Sequence, residues 1–213
     1  MPLKTLLLGA AATLAATGAA QAQGWYVSLE AGASVVDDTD VDYRLTSAGV
    51  TTFSYVPVGR FDTGWALIAA VGYSLQNWHV EAEVGWRSND KDRFTAIPVS
   101  TGGLDELTAM FNMTYDFRLA QDLALTVGGG AGIDYAMLDI VNIDDADLNL
   151  AYQGIVALNY SIAPDTDLTL GYRYLTVLDP SFEEQSGGTG VIMNFDDLTK
   201  HTLTAGVRYT FGT

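Results

Sequence analysis

The sequence predicts an all-β protein: an eight-stranded antiparallel up-and-down barrel that crosses a membrane, with short turns at one end and long loops at the other. Three observations predict it. Eight segments alternate apolar with polar or small residues, the period of a strand with two unlike faces. The connections between them alternate between short and long. One face of every segment is free of charge, although 17% of the chain is charged.

In chain order, residues 1–22 come first. Lys4 precedes an uncharged stretch rich in Leu and Ala that closes on Ala20-Gln21-Ala22, the pattern of a secretory signal cut after Ala22. Its apolar heart, Leu6 to Leu14, is too short for a spanning helix, which needs about 20 apolar residues. The barrel domain is then expected over 23–213. A chain exported and lacking any later apolar helix crosses a membrane only as a closed barrel, the other structure that satisfies its backbone in lipid.

The first strand, 24–35, sets Trp25, Val27, Leu29, Ala31, Ala33 and Val35 on one face and Glu30 on the other. The second, 64–75, repeats the pattern with Trp65, Leu67, Ala69, Val71, Tyr73 and Leu75. In the third, 78–88, Trp78, Val80, Ala82, Val84 and Trp86 oppose His79, Glu81, Glu83 and Arg87. The fourth, 107–119, opposes seven apolar positions, Phe111 and Met113 among them, to Asp116 and Arg118. The fifth, 123–135, carries Asp134 and the glycines 128, 130 and 132 opposite its apolar side. The sixth, 150–162, the seventh, 167–174, and the eighth, 201–211, complete the set, with Arg173 and Arg208 on the polar face of the last two.

Gln76-Asn77, Ala120-Gln121-Asp122 and Ala163-Pro164-Asp165-Thr166 read as tight turns, and 36–63, 89–106, 136–149 and 175–200 as long polar loops. That rhythm belongs to barrels of the bacterial outer membrane, with turns in the periplasm and loops outside the cell. Threading the chain from a periplasmic N-terminus gathers Trp25, Tyr73, Trp78, Tyr115, Phe117, Tyr160, Tyr209 and Phe211 near the inner rim. Trp65, Trp86, Tyr135, Tyr152, Tyr172 and Tyr174 fall near the outer rim. Two aromatic girdles result, as amphipathic rings prefer the headgroup level.

The polar face points into the cylinder. Glu30, Glu81, Glu83, Asp116 and Asp134 meet Arg87, Arg118, Arg173 and Arg208 there, which predicts an ion-pair network filling a lumen only wide enough for its own side chains. The inward glycines 128, 130 and 132 are expected to leave room for arginines of neighbouring strands.

Several function classes fall away. The absence of cysteine excludes disulfides and thiolate metal sites. Without Lys4 the chain has 9 basic side chains, one fewer than the full 10, against 26 acidic ones, a net of −17 that disfavours nucleic acid. His79, Glu81 and Glu83 share a face, but the second histidine, His201, lies at the other end, so no metal site or cofactor is expected. His201 beside Thr199 and Thr202 is weighed as a lipid-modifying site and set aside as a lone strand-end histidine. The run Gly128-Gly129-Gly130-Ala131-Gly132 lacks the spacing and the helix of a dinucleotide site. Asp38, Asp40 and Asp42 begin like a calcium loop, yet Tyr43 and Gly49 stand where its glycine and glutamate belong.

On these residues the chain resembles the small outer-membrane barrel family that includes the OmpA transmembrane domain and the opacity-type porin-like proteins. The sharpest local element is the last strand, whose Leu203, Val207, Tyr209 and Phe211 look like the aromatic-ended signal read by the barrel assembly machinery. The resemblance implies a non-enzymatic envelope protein set in outer-membrane lipids, supporting envelope integrity and surface interaction; the acidic loops are expected to meet lipopolysaccharide phosphates through divalent cations. It also leaves a narrow porin-like channel as an alternative, and alternation alone leaves a soluble lipocalin-type barrel. No peptidoglycan-binding domain is expected after Phe211.

Overall fold

The computed structural model describes residues 24–47, 50–55, 58–94, 102–140, 143–186 and 189–212. The signal segment 1–22 lies outside the described residues. Eight strands form the cylinder: β1 (Trp25–Val36), β5 (Gly64–Leu75), β6 (Trp78–Phe94), β7 (Gly102–Arg118), β8 (Leu123–Ile140), β9 (Ile143–Ala163), β10 (Thr166–Val177) and β13 (Leu198–Thr210). Each pairs antiparallel with its neighbours in that order, and β13 returns to pair with β1, so no barrel edge is left open.

Burial follows the alternation. In β10 every second residue from Leu168 to Tyr174 is exposed while Thr169, Gly171 and Arg173 are buried. The outward side chains are large and apolar, with Leu29 57%, Phe111 64% and Leu150 66% exposed. Such a surface suits hydrocarbon and excludes the lipocalin reading, in which these residues would line an interior. Edge-to-face contacts build the inner girdle: Trp25 on Tyr73 at 5.4 Å, Trp78 on Tyr115 at 5.0 Å and Tyr209 on Phe211 at 5.1 Å. No helix among the described residues is long and apolar enough to cross a membrane.

At the inner end the Gln76-Asn77 turn is closed by two residues, and Gln76 takes a φ of 60°, the left-handed conformation such hairpins require. Asn77 locks the turn to β7, donating from Nδ2 to the Asp116 carbonyl at 2.9 Å and accepting from the Asp116 amide at 2.8 Å.

The outer end departs from the expectation of long loops. β9 runs for 21 residues, about twice what a tilted crossing needs, and β6, β7 and β8 for 17, 17 and 18. Segment 36–63 folds into β2 (Thr39–Ser47), β3 (Val50–Tyr55) and β4 (Val58–Phe61), and segment 175–200 into β11 (Ser181–Ser186) and β12 (Thr189–Phe195). β12 pairs with β2, and β4 with β6, so the ladders continue beyond the membrane. The reason is local: Val41, Tyr43 and Leu45 alternate with charged or hydroxyl residues, and 50–55 and 191–193 are rich in β-branched and large apolar side chains. The acidic residues had masked that signal. Asp40 and Asp42 sit within β2, an extended backbone that is incompatible with a calcium loop.

Candidate functional site in the barrel lumen

At mid-lumen Arg173 of β10 reaches across the cylinder. Its guanidinium grips Glu30 of β1 through Nη1 at 2.7 Å and Nη2 at 2.9 Å, and its Nε donates to Glu83 of β6 at 3.2 Å. Thr204 also donates to Glu30, while Asn112 and Gln153 donate to Glu83 at 3.1 Å each. One guanidinium therefore neutralises two carboxylates, and neutral amides fill the remaining lone pairs, as buried charges require.

Toward the outer end Arg87, with 0% exposure, donates to Thr108 at 3.1 Å and approaches Thr202 at 3.4 Å. Asp134, equally buried, interacts with Arg87 through charge rather than a hydrogen bond. Lys200 forms an ion pair with Glu106, both side chains fully buried. Apolar residues then close the cylinder. Val36 and Leu175 are the ladder partners of Lys200, Ala136 is that of Glu106, and Leu104, Leu198 and Val177 lie one step further out; all six are buried.

Toward the periplasm the lumen opens. Tyr26 donates to Glu81 at 2.9 Å, and Asn112 donates to the other oxygen of Glu81 at 2.9 Å. Arg208 lies over the Tyr26 ring at 5.5 Å and pairs with Asp167 at 3.1 Å. His79 Nε2 stands 2.9 Å from Asp116, and its Nδ1 3.0 Å from Ser74 Oγ. A mouth cavity of about 730 Å³ is lined by Ser74, His79, Asp116, Asp167 and Arg208, followed by a void of about 40 Å³ beside Tyr26, Glu81 and Arg173, little more than one or two waters.

Of the nine residues expected inside, Glu30, Glu83 and Arg173 meet at the centre, Arg87 and Asp134 above them, and Glu81, Asp116 and Arg208 below. Arg118 is the exception: it is exposed at the periplasmic mouth and forms no ion pair among the described residues. Position accounts for this, because Arg118 ends β7 where the lumen meets water. Lys200 and Glu106 were missed because their segments read as loop. Continuing the inward parity of Thr202 and Thr108 by one step would have found both.

Glycines 128, 130 and 132 do not make room for arginines. A side chain at these positions would collide with the β7 backbone and with Thr114, Asn112 and Met110. Gly85 and Gly171 serve that purpose: a Cβ there would lie 2.9 Å from Arg87 Nη1 and 3.3 Å from Arg173 Nη1, respectively. His79 is held by Asp116 and Ser74, while Glu81 and Glu83 share Asn112 as a donor, and no group of three or more His, Asp or Glu that could hold a metal ion occurs among the described residues. His201 lies on the outer surface, bonded to Tyr172 at 2.6 Å and 3.3 Å from Asp37, whereas Thr202 is buried inside. The two therefore share no site. Leu203, Val207 and Tyr209 face outward on β13, and Phe211 packs on Tyr209 just after the strand ends.

A family model described as outer membrane protein beta-barrel domain matches residues 5–211. The chain belongs to that family. Its place is the outer membrane, and the solved structures it resembles are small barrels of the same kind. The neisserial surface protein A (NspA) aligns at 17% identity with a TM-score of 0.56, covering 89% of this barrel and 98% of that chain. OprG from Pseudomonas aeruginosa aligns at 13% identity and a TM-score of 0.62, covering 90% and 98%. AlkL, solved in lipid bilayers, aligns at 20% identity and a TM-score of 0.57, covering 93% and 95%. At these identities the likeness is one of fold. A comparison with curated proteins finds no match.

Proposed function

We propose that this barrel is a closed envelope protein, anchored in the outer membrane and holding its ladders above the surface, rather than a diffusion channel. One observation carries this reading: the Glu30–Arg173–Glu83 cluster, the Lys200–Glu106 pair and the apolar cap lie in series across the lumen. An ion entering from the periplasm meets first a fixed network and then a segment closed mainly by buried apolar side chains, with Asn89 at the level of Leu104. Moving a charge through such a segment is strongly unfavourable. This envelope role draws on no catalytic step.

The barrel, refolded without residues 1–22 and fused into planar bilayers, is expected to stay silent. Stable single-channel steps would overturn the closed reading in favour of the porin-like one. We further propose that Asp37, Asp38, Asp179, Asp196 and Asp197, all exposed near the outer rim, meet lipopolysaccharide phosphates through divalent cations. Chelators should then speed proteolysis of the outer strands in native membranes; an unchanged rate rejects the bridge. The outward row Leu203, Val207 and Tyr209, with Phe211, is proposed as the contact with the assembly machinery, and the double substitution of Tyr209 and Phe211 by Ala should lower the folded yield in cells.

A further inference from the structure

The periplasmic mouth contains a serine, a histidine and an aspartate in sequence of contact. Ser74 Oγ is 3.0 Å from His79 Nδ1, and His79 Nε2 is 2.9 Å from Asp116 Oδ2. All three line the same open cavity of about 730 Å³. Ser74 and His79 face each other across the β5–β6 hairpin, and Asp116 comes from β7. We propose that this is a hydrolase site, with Ser74 as nucleophile and His79 as general base, acting on short-chain carboxylic esters that enter from the periplasm.

The case rests on the order of the contacts and on how tightly the base is held. A nucleophile is activated when a base lies in hydrogen-bond reach and a third group orients that base. His79 is 5% exposed and meets the Tyr26 ring edge-on at 5.7 Å, so its orientation is set by packing. Asp116 is fixed in turn by Thr126, which donates to its other oxygen, by Arg208 at 3.7 Å and by the Asn77 backbone contacts. In the tautomer that turns an Nε2 proton toward Asp116, Nδ1 is left to accept from the serine hydroxyl. The ring is used in the opposite sense from the serine-protease arrangement, but the proton logic is the same. The Nε2 contact is close, 2.9 Å, yet not aligned as a hydrogen bond. Arg118 lines the same cavity, a cation of the sign that a developing oxyanion needs.

Ser74 Oγ adds to the ester carbonyl as its proton moves to His79 Nδ1. The bond to the alcohol oxygen then breaks, and the same proton leaves with the alcohol. Water, deprotonated by His79, hydrolyses the acyl-serine to the carboxylic acid and restores the hydroxyl. The cavity lining is polar on balance, with Arg118, Arg208, Asp122, Asp167 and Asn159 beside a few small apolar residues, which favours an acetyl-sized group over a fatty acyl chain.

The test uses the refolded barrel in detergent micelles, where the periplasmic mouth is open. A fluorophosphonate probe should modify the wild-type protein, with peptide mass mapping the adduct to Ser74 and no adduct on denatured chains. Ser74→Ala should abolish both the adduct and p-nitrophenyl acetate hydrolysis, and His79→Gln should slow labelling by about 10²–10⁴-fold. Asp116→Asn, a change at a positioning residue, should shift the pH profile of labelling while leaving the folded fraction unchanged. Absence of an adduct on folded wild-type protein, an adduct elsewhere, or Ser74→Ala as active as wild type sinks the proposal, and p-nitrophenyl palmitate cleaved faster than the acetate overturns the substrate class. None of these outcomes depends on conductance.

Discussion

The two halves of the lumen share one inward register, yet they are filled in opposite ways. In the outer half, Arg87, Glu106, Asp134 and Lys200 are all 0% exposed and sit beneath an apolar cap. In the periplasmic half, the side chains of Arg208, Asp116 and Asp167 keep 13%, 17% and 19% of their exposure around an open cavity. The same ion-pair chemistry therefore meets two dielectrics. Where water is absent, a pair contributes little net stability but its halves are inseparable; where water enters, each ion solvates alone and the pair matters less.

Substitutions can break that contrast. The largest effect is expected from Arg173→Ala, which strands Glu30 and Glu83 at the buried centre, and from Lys200→Ala, which strands Glu106. Each should cost about 3–5 kcal/mol in urea unfolding of the barrel in lipid vesicles. Replacing both Lys200 and Glu106, by Met and Leu respectively, should recover most of that loss, because an apolar pair of similar volume suits the cap. A double variant as unstable as Lys200→Ala alone would refute the dry-half description.

Next in size is the membrane-facing surface. Leu170, 52% exposed to lipid, becomes costly when charged, and Leu170→Arg should lose about 2–4 kcal/mol in the same assay. Gly171, its inward neighbour, tests the room left for Arg173. A methyl there lies 2.9 Å from Glu30 Oε2, and Gly171→Ala should cost about 1–3 kcal/mol through overpacking. The outward Gly154 has nothing within 4 Å of the added carbon, and Gly154→Ala should be neutral within about 0.5 kcal/mol. The smallest effect belongs to the wet half: Arg208→Gln should cost about 1 kcal/mol or less, and the loss should shrink as salt rises. A loss equal to that of Arg173→Ala would erase the difference between the halves.

The sequence revealed more about sides than about depth. Parity placed Glu83 and Arg173 inside and Phe111 outside, but the strands were ended too early at the outer rim. Acidic residues such as Asp105 and Asp144 resemble loop composition, yet they lie in β7 and β9, where backbone pairing continues beyond the bilayer. That boundary error hid the Lys200–Glu106 pair and the apolar cap. The Ser74–His79–Asp116 contact was also unread, since Ser74 is one of many small polar residues on inward faces and its partner in β7 lies 37 residues beyond His79.

What the sequence determined by itself was the eight-stranded pattern and, given a bilayer, the face that each strand turns to it. Hydrocarbon rejects charge so strongly that a strand with one uncharged face has only one way to stand in a bilayer, and a two-residue period is visible in a single chain. Only the tertiary structure decided which charge meets which. Arg173 and Glu30 are separated by 143 positions and joined across the cylinder by barrel closure and inter-strand register, quantities set by all eight strands together and written in none of them alone.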